Sequence, residues 1–130
     1  MTSKRDVIER IGGLDRMREV LRDFYDQLFD DMLVGFFFQG RDKKKLIERQ
    51  LQFTARAFGA EIVYEGKSMP DAHGPLPPIL PGHFDRRHRL LEEALRRHAL
   101  PEDAIEVWLA YDKSFRRAVL GAKAGLKKPA

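Results

Sequence analysis

The stretch from Tyr64 to Phe84 constrains the fold more than any other part of the chain. It contains prolines at positions 70, 75, 77, 78 and 81 and glycines at 66, 74 and 82. Because proline fixes φ and removes a backbone donor, no regular helix or central strand can run through it. Apolar residues such as Met69 and Leu76 nevertheless occur along this stretch. Long structureless loops in small domains are usually functional, so we expect an ordered loop that presents His73 to a large, flat partner.

Outside this loop, apolar residues recur at helical spacing. Residues 3–11 suit one or two helical turns that end at the Gly12-Gly13 break. Four longer stripes follow, and no period-2 strand pattern competes with them. The class is therefore all-α, with four main helices and one long ordered loop. The stripes are Leu14, Met17, Leu21, Phe24, Tyr25 and Leu28; Leu46, Ile47, Gln50, Phe53, Thr54, Ala57 and Phe58; Phe84, His88, Leu91 and Leu95; and Ile105, Trp108, Leu109, Tyr111, Phe115 and Val119.

Local signals predict where the helices begin and end. Asp42 is a candidate N-cap for the second long helix, Gly59 stops that helix, and Pro101 opens the last one. The run from Met32 to Phe38 is too short and too aromatic for a surface connection. We therefore expect this run to pack beneath other elements, as a corner of the core.

Two polar side chains fall on the buried stripes of two helices. Gln50 interrupts the second stripe, and Tyr25 points inward from the first. A buried amide without partners costs about 1–3 kcal/mol. Gln50 should therefore face another polar side chain or a ligand, and the two residues call for a shared explanation.

Length and composition limit the class of protein. A chain of 130 residues fits a single domain, residues 1–130, with a small basic segment at 121–130 that we expect to be a frayed tail. The absence of cysteine excludes disulfides and thiolate metal sites. The N-terminal residues lack an apolar signal region, and no apolar run is long enough to span a bilayer. These features predict a cytoplasmic protein without membrane contact.

The order of residues along the chain resembles that of the truncated haemoglobins, specifically group I. The resemblance covers about residues 6–120 and runs without a gap from Phe24 to His73. It implies a globin-like two-over-two helical sandwich around haem b that binds O₂, NO or CO and depends on an unidentified reductase or electron donor. An NO-detoxifying dioxygenase activity is a further expectation. The resemblance rests on Gly12-Gly13, Phe24-Tyr25, Phe37-Phe38, Gly40, Asp42, Leu46, Gln50, Phe53, Gly59, Tyr64, Gly66, Met69, His73, His83-Phe84 and Pro101.

Position by position, the resemblance implies a role for each matching residue. His73 corresponds to the proximal iron ligand, and Phe38 to the phenylalanine that wedges against the porphyrin. Tyr25 and Gln50 correspond to the distal residues that hydrogen-bond a bound ligand, with Leu46 at the distal gate. Arg49, with Lys45, is expected to meet the propionates. The remaining expected pocket walls are Phe53, Tyr64, Met69, Phe84 and Leu91.

The chain departs from the family pattern in two places. Gly59-Ala60-Glu61 stands where the family has Gly-Gly-Pro, and the segment from His73 to Phe84 is one residue longer and richer in proline. Both departures lie on the proximal side, so they bear on the course of the loop.

A second function class remains open at this point. The third stripe is flanked by arginines, and a haem-free helical module could use them to contact an acidic partner. Asp85, Glu92 and Glu93 interrupt this basic run, and no nucleic-acid motif occurs, so we expect no nucleic-acid partner. We also expect a monomer or weak dimer. His83, His88 and His98 are expected at helix ends or on the surface, since their spacing suits no zinc site. The arginines are Arg86, Arg87, Arg89, Arg96 and Arg97.

Overall fold

The computed structural model describes residues 2–67 and 77–124, and within these ranges the chain forms six α-helices and one 3₁₀ turn. No strand occurs in the same ranges, so the all-α prediction is confirmed. His73 and Met69 lie outside the described residues. The elements are α1 (Lys4–Ile11), α2 (Leu14–Asp30), the 3₁₀ turn (Gly35–Phe38), α3 (Lys43–Ala57), α4 (Pro81–Arg97), α5 (Glu102–Lys113) and α6 (Arg116–Ala124).

Two helix pairs form the core. The helix α2 packs against α3, α4 packs against α5, and the contact between α2 and α4 joins the two pairs. The short α1 lies on α5. The core between them contains fully buried Phe24, Leu51, Leu95 and Trp108. This is the expected two-over-two sandwich. No helix in the described ranges combines the length and apolar character needed to cross a membrane.

Several predicted boundaries are confirmed. Gly12 and Gly13 have φ of 106° and 101°, which turns the chain between α1 and α2. The Asp42 carboxylate accepts the Lys45 backbone N–H at 3.1 Å and caps α3. The predicted loop ends earlier than Phe84, however, because α4 begins at Pro81. Proline suits the first helical position, where its φ is already correct and no donor is lost.

The run from Met32 to Phe38 forms a corner of the core only in part: Val34 belongs to the core, and Phe37 and Phe38 pack against it. Met32 is fully exposed, and Leu33 and Phe36 are about half exposed. The Asp31 carboxylate accepts the backbone N–H groups of Leu33 and Val34 and turns the chain directly after α2. Only Val34 and Gly35 are buried by this turn.

The last predicted helix is two helices. After α5, the Ser114 hydroxyl donates to the Tyr111 carbonyl at 2.5 Å, and the Phe115 N–H bonds three residues back to Asp112. This tight turn separates α5 from α6. The backbone of α6 continues to Ala124, inside the segment that the sequence assigned to a tail.

Candidate functional site

A cavity of about 230 Å³ opens between the two helix pairs. Its walls come from α2, the 3₁₀ turn, α3, residues 64–67 and the three C-terminal helices. Most of the wall is apolar, and much of it is aromatic. The lining residues are Tyr25, Leu28, Val34, Phe37, Phe38, Arg41, Leu46, Arg49, Gln50, Phe53, Tyr64, Lys67, Ile79, His83, Phe84, Arg87, Tyr111, Asp112, Phe115 and Val119.

A chain of hydrogen bonds crosses one wall of the cavity. The Tyr25 hydroxyl donates to Gln50 Oε1 at 3.3 Å, and Gln50 Nε2 donates to Thr54 Oγ1 at 2.8 Å. Tyr25 is 6% exposed and Thr54 is 1% exposed. Gln50 therefore faces another polar side chain, as the sequence predicted, and the chain of hydrogen bonds continues to a third residue, Thr54.

Burial keeps the Tyr25 hydroxyl protonated. Desolvation raises the pKa of Tyr25 to about 12, and the nearby Arg87 charge offsets only part of that rise. The phenol is therefore a hydrogen-bond donor throughout the neutral range.

Aromatic rings fix the two phenylalanines that the sequence assigned to the cavity. Phe38 stacks on Phe29 with ring centroids 5.3 Å apart and meets Tyr25 edge-on at 6.2 Å. Phe53 lies edge-on to Tyr64 at 5.3 Å and to Phe115 at 5.5 Å. Such edge-to-face contacts favour one ring orientation.

The residues expected to meet haem propionates lie in different places. Arg49 lines the cavity, and its guanidinium pairs with Glu65 at 3.2 Å. Lys45 is exposed in the first turn of α3 and is not among the lining residues. Two other cations, Arg41 and Lys67, do line the cavity.

Of the other predicted site residues, Leu46, Tyr64 and Phe84 share the cavity wall with Tyr25 and Gln50. Leu91 instead lies in the helix core, 1% exposed, and does not line the cavity. The roles given to all these residues, and to His73 and Met69, stay predictions.

A charged cluster on α4 and α5 is a feature that the sequence analysis missed. Arg87 Nη1 donates to Asp112 Oδ1 at 2.7 Å, and His88 Nδ1 lies 2.8 Å from Asp112 Oδ2. Burial favours the neutral acid, but Arg87 and His88 together hold the pKa of Asp112 below its usual range. The spacing in the sequence could have revealed this cluster, because Asp112 is four residues after Trp108 and Arg87 is three residues after Phe84. Both therefore fall on the buried stripes.

His83 lies in the first turn of α4, in line with its expected position at a helix end. It lines the cavity and packs edge-on against Phe37 at 5.1 Å. Its Nδ1 accepts the Leu80 backbone N–H at 3.0 Å and so caps α4.

Comparison with known proteins places this geometry in a family. The model of the bacterial-like globin family matches residues 6–120. A group 1 truncated haemoglobin, GlbN of Synechocystis sp., is 30% identical over 100 residues, which are 75% of this chain and 81% of that protein. The group 1 truncated haemoglobin LI410 of Chlamydomonas moewusii is 32% identical over 87 residues. That match covers 66% of this chain but only about half, 51%, of the algal protein.

Solved structures of haemoglobins have the same fold as this chain. The 2/2 haemoglobin of Synechococcus sp., described in the cyanomet state with covalently attached haem, superposes with a TM-score of 0.81 at 26% identity. The match covers 88% of this chain and 98% of that one. The haemoglobin of Chloroflexus aurantiacus gives a TM-score of 0.77 at 26% identity, covering 88% and 96%. The chain therefore belongs to the bacterial-like globin family, among the group 1 truncated haemoglobins.

Proposed function

We propose that this chain binds haem b in the cavity and, through it, reversibly binds O₂ and other diatomic ligands. The observation that carries the proposal is a hydrogen-bonded pair, buried Tyr25 and partly buried Gln50, on the wall of a largely apolar cavity. A cavity used only for apolar packing has no need of such a pair, because burying polar groups is costly. A diatomic ligand with partial negative charge would accept from the Tyr25 hydroxyl.

The residues present fit a porphyrin. Phe38, Phe53 and Phe84 offer apolar surface for a flat macrocycle, and Arg41, Arg49 and Lys67 offer positive charge for its carboxylates. Because Arg49 already pairs with Glu65, Arg41 and Lys67 join it as candidates for the propionates. When bound, haem supplies an iron centre with an open coordination position for small ligands.

We assign the iron ligand to His73, and the other three histidines support this by elimination. His83 Nδ1 accepts a backbone N–H, so the proton of its neutral ring is on Nε2 and no lone pair remains for a metal. His88 and His98 do not line the cavity and are bound to Asp112 and Asp23.

The test is an absorption spectrum of the purified protein with added haem. We expect an intense Soret band, which His73→Gly should lose in its normal ferrous form and which free imidazole should restore. His83→Gly is the matched control and should keep the wild-type spectrum. A featureless visible region with haem present contradicts haem binding. Loss of the spectrum in His83→Gly, but not in His73→Gly, contradicts the choice of histidine.

We further propose that the chain converts NO and O₂ to nitrate, taking one electron from a reductase. The Tyr25 donor supports this proposal, because a hydrogen bond worth about 0.5–1.5 kcal/mol slows O₂ release and so disfavours simple transport. NO added to the oxygenated protein should yield stoichiometric nitrate, with a lower yield in Tyr25→Phe. Release of NO and O₂ without nitrate would leave reversible ligand binding as the function.

The alternative, a basic helix that contacts an acidic partner, has less support. Each of the arginines on which it depends forms an ion pair inside the chain. The pairs are Arg86 with Asp31, Arg87 with Asp112, Arg89 with Glu93, Arg96 with Glu92 and Glu102, and Arg97 with Asp23.

A further inference from the structure

Arg87 places a guanidinium on the wall of the cavity that also holds Tyr25. Its side chain is one quarter exposed, and Arg87 is among the residues that line this cavity. The guanidinium packs on the ring of Phe24, 5.1 Å from the ring centroid. This cation–π contact and the bond to Asp112 hold the group in one orientation.

In this cluster the side-chain oxygens of Asp112 both have partners, whereas Arg87 has donors to spare. Both oxygens of Asp112 are engaged, one by Arg87 and the other by His88. Arg87 has five N–H donors, and one of its nitrogens donates to Asp112. Among the described residues no fully buried side-chain nitrogen or oxygen lacks a partner. The guanidinium nitrogens without a partner are therefore not fully buried, and the residue that carries them lines the cavity.

From this geometry we propose that Arg87 makes the cavity wall beside Tyr25 a site for small inorganic anions of the azide and nitrite class. The inference rests on the proposed haem binding, since such an anion would occupy the cavity together with haem. It gives the pocket a preference between ligands, because a guanidinium favours a full negative charge far more than a neutral diatomic molecule.

The guanidinium is suited to this role for two physical reasons. A hydrogen bond from a charged donor to an anion is stronger than a neutral one, and it strengthens further where water is excluded. Asp112 compensates the charge of Arg87 without occupying all its donors. An arriving anion therefore gains a hydrogen bond while the buried ion pair stays intact.

The test measures azide and nitrite affinity of the ferric holoprotein, with all variants compared at the same pH. Arg87→Met keeps an unbranched apolar stem in place of the side chain and removes the guanidinium with its charge. We expect its azide and nitrite affinity to fall about ten-fold or more, the value of a charge-assisted hydrogen bond. CO binding to the ferrous form should change little.

Asp112→Asn is the second variant, because it keeps the shape of the carboxylate, removes its charge and leaves one oxygen to accept from Arg87. Azide affinity should rise in this variant, since the guanidinium is no longer neutralised. Loss of packing would move both variants in the same direction, because both break the ion pair. Opposite changes therefore identify an electrostatic effect.

A haem propionate is the other anion that Arg87 could bind. Transfer of haem from each variant to an excess of apomyoglobin tests this, and we expect the transfer rate of Arg87→Met to match that of the wild type. Faster transfer with unchanged azide affinity would overturn the proposal in favour of a propionate contact. Azide affinity that falls in both variants would overturn it as well. Absence of a Soret band in the wild type would overturn haem binding and this inference together.

Discussion

The buried hydroxyl of Thr54 determines which way the Gln50 amide faces. Because Gln50 Nε2 donates to Thr54, its oxygen is the atom that faces the Tyr25 hydroxyl. The sequence indicated that Gln50 would face another polar side chain or a ligand, but it did not indicate whether the oxygen or the nitrogen of the amide would do so. The pairing of Tyr25 with Gln50 followed from two polar residues on buried stripes. Its direction did not, because Thr54 has the pattern of an ordinary core residue.

Thr54→Val should slow O₂ release from the haem-loaded protein. In the wild type, Gln50 must give up its bond to Thr54 before its amide can donate toward the cavity. Valine has the same shape but no acceptor, so that cost disappears. A bond of about 0.5–1.5 kcal/mol corresponds to a rate about two- to ten-fold lower, measurable by stopped-flow displacement of O₂.

Thr54→Ser keeps the hydroxyl and serves as the control, with a rate expected to match the wild type. If Thr54→Val released O₂ faster than the wild type, Thr54 would be holding Gln50 in its productive orientation instead.

At the scale of elements, the residues predicted the helices better than their connections. The stripes and the Asp42 cap located α1 to α4 because these signals lie within each helix. The break between α5 and α6 was missed because Tyr111, Phe115 and Val119 continue the apolar period across it. The exposure of Met32 was missed for a related reason: hydrophobicity does not specify which residues of a tight turn face inward.

Gly35→Ala should destabilise the protein by about 1–3 kcal/mol, the usual cost of overpacking. Gly35 is buried at the start of the 3₁₀ turn, and a Cβ there would lie 2.8 Å from the Phe29 carbonyl oxygen. Since that oxygen belongs to the α2 backbone, the 3₁₀ turn would have to move, together with Phe38. Urea unfolding midpoints measure the loss.

Gly82→Ala is the matched control for this substitution. A Cβ at position 82 meets nothing within 4 Å, and the residue lies in α4. Alanine there should leave stability unchanged or raise it by about 0.4–1 kcal/mol. Equal midpoints for the two variants would show that the close approach at Gly35 costs nothing.

Across the whole molecule, ion pairs tie the helices to one another. Asp31 after α2 binds Arg86 of α4, Asp23 of α2 binds Arg97, and Arg10 of α1 binds Asp103 of α5. Charge along the sequence suggested a basic helix facing an external partner. It could not reveal these pairs, because each joins residues far apart in the chain.

Asp31→Asn should therefore destabilise the protein in a pH-dependent manner. The carboxylate is 7% exposed, and its bond to Arg86, with those from the Leu33 and Val34 N–H groups, lowers the pKa of Asp31 in the folded state. In the unfolded chain the ordinary value is about 3.9. As the pH falls below that value, the unfolded state binds the proton first, so the stabilisation is lost as the pH approaches the folded pKa. The wild type should exceed Asp31→Asn in stability above about pH 5, and the difference should shrink below about pH 4.

Urea unfolding of the same preparation, at several pH values between about 7 and 3, measures this difference. Glu106→Gln is the control, because Glu106 is exposed on α5 and forms no ion pair within the described part of the chain. Its stability should follow that of the wild type at every pH, since exposed charges contribute little. A difference for Asp31→Asn that stayed constant across the range would contradict the prediction, because it would show that the effect does not depend on the charge of the carboxylate.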